Sequence, residues 1–156
     1  MLGVYVSCWM RNLYEKGTNE RMLAMHLHFA LGVLLLAWLL FRLGAYFFST
    51  KPPIVPSQPG WQAGALKLMH GFLWGLMLVL PLSGWMMVNA GGRAVKISFL
   101  GMELPTLVQK NDTLAKMLGQ AHEVMALLLL ILIAGHTLVA LWHHFFKKDN
   151  ALRRML

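Results

Sequence analysis

Three long apolar blocks dominate the chain and restrict what it can become. The first runs from about Met22 to Phe48, with the core LHFALGVLLLAWLLFRLGAYFF. The second runs from Leu66 to Val88 and the third from Ala121 to Phe146. Roughly 20 apolar residues cross a bilayer as a helix, and each block supplies them. Lipid offers no partner to a backbone N–H or C=O, so blocks of this kind must be helices. The expected fold is all-α: an integral membrane helical bundle of three full transmembrane helices, forming one domain over residues 1–156. Met1–Met10 is apolar but too short to span. It lacks the basic head and small-residue cleavage site of a signal peptide and reads as an N-terminal helical stub.

Charge fits this picture. Only 13% of residues are charged against 58% apolar, about half the charged share of an ordinary soluble domain. A formal net charge of +8 would point to nucleic acid in a soluble protein. Here the basic residues flank the apolar blocks, as in membrane proteins, so membrane lipid is the expected surroundings and nucleic acid is not a partner. The connectors are a charged turn, Arg11–Arg21, a proline-rich stretch, Lys51–Gly60, and a polar loop, Asn89–Gly119, with room for a short hairpin. Side B denotes the side of the first and third connectors, and side A that of the second and of the tail. Lys and Arg divide evenly between the two sides, and the dense basic tail, KKDNALRRML, places side A in the cytoplasm.

The single cysteine, Cys8, rules out an internal disulfide or thiolate cluster, so the histidines carry the chemistry. Ligating side chains inside spans are costly and are functional candidates by default. His122 and His136 are separated by nearly four whole turns of the last span, so they share a face about 21 Å apart along the axis. That spacing suits two haems stacked across a membrane. An iron with two axial imidazoles is an electron carrier with no open position for oxygen. Each iron needs a second histidine at matching depth. The first span starts at side B with His28, level with His122. The middle span starts at side A with His70, level with His136. His26 points roughly 160° away from His28 and reads as interfacial, as do His143 and His144. Gly32, one turn beyond His28, permits close approach to a flat macrocycle, as do Gly71, Gly75, Gly84 and Gly135; helix packing alone is the other reading of each. Pro81 is expected to kink the middle span. Arg42 reads either as a partner for a haem propionate or as a snorkelling headgroup contact. The methionines read as core filler. Nucleotide-binding loops, a CxxC pair and HExxH are absent from the sequence.

The pattern resembles the bacterial cytochrome b-561 family, small four-helix dihaem proteins of the inner membrane. The resemblance is carried by H28-F-A-L-G32, Arg42, Pro52–Pro56 (PPIVP), His70, P81-L-S-G84, H122-E, His136 and the tail WHHFFKKDNALRRML. It implies haem b held by His28, His122 and His136, and electrons exchanged with ubiquinone or another quinone of a respiratory chain, with superoxide as a donor. Family members carry a further ligand early in their first helix, a region this chain lacks. Either the chain holds one haem, at His28 and His122, or His70 substitutes as the partner of His136 and two are held, or the sequence is a truncated reading of a longer protein. A homodimer or a partner subunit is compatible with this reading. Two alternatives remain open: a cytochrome b anchor of a larger dehydrogenase or hydrogenase, docking through Asn89–Gly119, and a haem-free helical relative.

Overall fold

The computed structural model describes residues 1–48, 60–97, 101–142 and 145–146. The proline-rich motif at Pro52–Pro56, His143, His144 and the basic tail lie outside the described residues. The elements follow in the order α1 (Leu2–Leu13), α2 (Asn19–Phe48), α3 (Gly60–Ala90), β1 (Lys96–Ile97), β2 (Met102–Glu103) and α4 (Asp112–Trp142). Helices α2, α3 and α4 are each long and apolar enough to cross a membrane, and α1 is the expected stub. All three spans start ahead of their apolar blocks. Helix α4 begins at Asp112 rather than near Ala121, because Asn111 caps it: its Oδ1 accepts from Leu114 N at 3.0 Å. A side-chain cap of this kind satisfies a helix-end N–H outside the bilayer, where apolarity is not required.

The chain forms two helical hairpins, α1 on α2 and α3 on α4, which meet over a smaller α2–α3 contact. In the first turn, Arg21 Nη1 donates to the carbonyls of Arg11 and Tyr14 at 3.0 and 2.9 Å, closing the end of α1. In the second hairpin, Leu73 and Leu80 of α3 pack with Leu129 of α4. Leu129 lies seven residues from both His122 and His136, on the face they share. Pro81 sits inside α3 without ending it; it has no N–H to offer the Met77 carbonyl.

The polar connector at side B is tightly organised. Gly92 takes φ +76° just past α3, Gly92 N donates to Asn89 O at 2.8 Å, and Arg93 N donates to Val88 O at 3.1 Å. That is a Schellman motif, which favours glycine at the left-handed position. Asn89 is 2% exposed; its Nδ2 donates to Arg93 O and its Oδ1 accepts from Leu107 N at 2.9 Å. Strands β1 and β2 pair antiparallel, Lys96 opposite Glu103, and bury Val95 and Ile97, with β1 against α2.

Candidate haem site

The four histidines singled out in the spans fall into two facing pairs. The rings of His28 on α2 and His122 on α4 have centroids 6.4 Å apart and planes at 72°. Those of His70 on α3 and His136 on α4 lie 5.2 Å apart at 74°. The first pair lies toward side B and the second toward side A, in the register expected from topology.

At the side-B pair, hydrogen bonds fix which nitrogen is left free. His28 Nδ1 lies 3.0 Å from the Val4 carbonyl and 3.4 Å from Ser7 Oγ. A carbonyl only accepts, so the ring proton sits on Nδ1 and the Nε2 lone pair is left for a metal. His122 Nδ1 lies 3.1 Å from Ser83 Oγ. Each serine donates its own proton to a carbonyl three residues back, Ser7 to Val4 and Ser83 to Leu80, at 2.8 Å in both cases. Their oxygens therefore act as acceptors toward the imidazoles. Metal-bound histidines generally donate their other N–H in this way.

A cavity of about 390 Å³ lies at this pair, lined by both histidines and by Gly32, Pro81, Gly84 and Leu129. No described atom lies within 4 Å of a Cβ built at Gly32, so this wall stands back from its neighbours. A Cβ at Gly84 would lie only 3.1 Å from His122 Cε1, so glycine there lets the ring lie flat against α3. Arg11 and Arg93 also border the cavity, offering cations toward side B suited to carboxylates. The donor set fits a haem. Two imidazoles sharing one iron, each nitrogen about 2 Å from the metal, hold their centroids roughly 6 Å apart.

The side-A pair differs. His70 Nδ1 is held at 2.8 Å by its own-turn carbonyl, Leu66 O, which again leaves Nε2 for a metal, but the rings stand closer than a shared iron requires. Arg42 is exposed near the far end of α2 and does not border the side-B cavity. His26 is half-buried and is likewise not among that cavity's lining residues. Sequence reasoning missed Ser7, Ser83, Arg11 and Arg93. The available signal was a serine inside an apolar stretch, VYVSCWM or PLSG, where a hydroxyl needs an internal partner.

Comparison with known proteins supplies the lineage. The family model for prokaryotic cytochrome b561 matches residues 1–156. Cytochrome b561 homolog 1 of Escherichia coli (strain K12) is 33% identical over 152 residues, 97% of this chain and 85% of that protein. The probable superoxide oxidase CybB of Yersinia pestis is 32% identical over 130 residues, 83% of this chain and 73% of that protein. Cytochrome b561 homolog 2 of Escherichia coli (strain K12) is 30% identical over 149 residues, 95% of this chain and 78% of that protein. With its membrane-crossing helices and facing histidines, the chain belongs to the prokaryotic cytochrome b561 family, as a multi-pass electron carrier of the inner membrane and a homologue of a superoxide oxidase.

Proposed function

We propose that the chain carries single electrons through haem b held by His28 and His122, from an anionic donor at side B toward the quinone pool. The observation that carries this reading is the His28–His122 pair: 6.4 Å between centroids, both Nδ1 atoms occupied by acceptors, and a cavity at the rings. Haem b held by these two imidazoles would supply one-electron transfer. His28 and His122 would hold the group, Leu129 and Pro81 would help exclude water from it, and Arg11 and Arg93 would offer cations to its carboxylates. Arg42 and the His70–His136 pair belong to side A, where a second haem would have to sit.

The donor reading rests on a second cavity. About 640 Å³ at side B is bordered by Arg93, Lys96 and Lys110, with Glu103. Arg93 borders both cavities, so positive charge extends to the haem edge and favours an anionic reductant. Superoxide suits that charge. It loses one electron and leaves as dioxygen, and two such electrons with two protons convert a quinone to a quinol.

The test is a reduced-minus-oxidised spectrum of the purified chain and of His122→Ala. The native chain is expected to give the sharp α-band of bis-imidazole haem and His122→Ala to lose it. Full haem content in His122→Ala would overturn the ligand assignment. A superoxide-driven quinone reduction that falls in Arg93→Gln and weakens with salt supports the donor; a rate indifferent to both removes it.

A further inference from the structure

Ser83 and Ser7 hold matching places around the two facing histidines. Each is buried, at 6% and 3% exposure. Each sits on the hairpin partner of the helix that bears its histidine: Ser83 on α3 beside His122 of α4, Ser7 on α1 beside His28 of α2. Each has its own O–H committed to a carbonyl three residues back. What the serine then presents to the imidazole is oxygen lone pairs, and only an N–H can use them.

We propose that Ser83 is a positioning residue for His122, with Ser7 its weaker counterpart at His28. The inference rests on the reading of these histidines as iron ligands. By accepting the Nδ1 proton, Ser83 fixes the tautomer that leaves Nε2 for the metal. It also sets the ring's rotation and strengthens the ring as an electron donor. An imidazole with a hydrogen-bonded Nδ1–H stabilises oxidised iron more strongly, so the acceptor lowers the reduction potential. The distances rank the two serines. Ser83 Oγ stands 3.1 Å from His122 Nδ1. Ser7 Oγ stands 3.4 Å from His28 Nδ1, with the Val4 carbonyl nearer at 3.0 Å. His28 thus leans on its carbonyl, and His122 draws more on its serine. Gly84 completes the arrangement, since a side chain there would press the ring that Ser83 orients.

The experiment uses the full chain purified with its haem, alongside Ser83→Ala, Ser83→Thr, Ser7→Ala and His122→Ala. Haem per chain, midpoint potential and the low-spin ferric paramagnetic resonance spectrum are read. Ser83→Ala is expected to shift the potential upward and move the resonance, Ser83→Thr to restore both, and Ser7→Ala to shift less. A Ser83→Ala protein matching the native chain in potential and resonance overturns the proposal, as does a threonine that restores neither. If Ser83→Ala loses its haem, Ser83→Thr decides: haem regained at the native potential supports positioning, and haem not regained overturns it. A native chain without haem, or His122→Ala that keeps it, overturns the ligand reading and this inference together; an unmoved Ser83→Ala beside a haem-free His122→Ala overturns the inference alone.

Discussion

Gly84 shows how little space separates the His122 ring from its supporting helix. A methyl group added there would meet His122 Cε1 at 3.1 Å, tighter than most such contacts, so the ring would have to give by a few tenths of an ångström. Gly84→Ala is therefore expected to weaken haem retention by roughly 1–3 kcal/mol, the usual cost of overpacking a fitted site. Haem titration of the stripped protein measures it; an affinity equal to the native chain's would mean that the ring does not rest on α3. Gly32→Leu makes the contrast. A Cβ at Gly32 has open space around it, so the chain should fold, while the longer side chain fills the cavity and lowers haem content. The histidine pairs were legible in the sequence because depth in a bilayer follows from topology: His28 and His122 both open their spans at side B. The serines were not. Their partners lie 21 and 39 residues away, and no spacing along one helix reveals a hydrogen bond across a hairpin.

At the scale of elements, the spans were readable from their apolar blocks, but their ends were not, because helix ends are set by caps outside the bilayer. Asn111 starts α4 well ahead of its apolar run, and Gly92 stops α3 with a left-handed turn. Asn89 then pins the side-B connector, holding Arg93 O with its amide N–H and accepting from Leu107 N. Asn89 itself is buried, whereas Arg93 and Leu107 are exposed, so water can reach the two groups it holds. Asn89→Ala should cost about 1 kcal/mol for each hydrogen bond lost. The expected result is a lower Tm in detergent and faster tryptic cleavage at Arg93, Lys96 and Lys110. A Tm and cleavage rate equal to the native chain's would show that the connector holds its shape without this residue. The connector bears on function, since it carries Arg93, which borders both cavities, and Lys96 and Lys110, which border the outer one.

The whole molecule is two hairpins with a modest direct seam, bridged at side B by the histidine pair and by Tyr5 Oη, which donates to the Ala126 carbonyl at 2.9 Å. A haem at His28 and His122 would join α2 to α4, one helix from each hairpin, so its binding free energy would stabilise their association. The His70–His136 pair lies entirely within the α3–α4 hairpin, which already packs through Leu73, Leu80 and Leu129. Its rings are 5.2 Å apart, short of the roughly 6 Å that one iron between two imidazoles imposes. Admitting a second haem would force α3 and α4 apart near side A against that core. The chain is thus expected to hold one haem, with His28→Ala and His122→Ala each losing it and His70→Ala and His136→Ala each keeping it. Haem removal should also lower the Tm and loosen α1 from α4, read as faster cleavage at Arg11 and Lys16. Quantified haem per chain decides the matter. A value of two, falling to one in both His70→Ala and His136→Ala, would mean that the α3–α4 hairpin opens to admit a second macrocycle and that the close ring pair is its collapsed state.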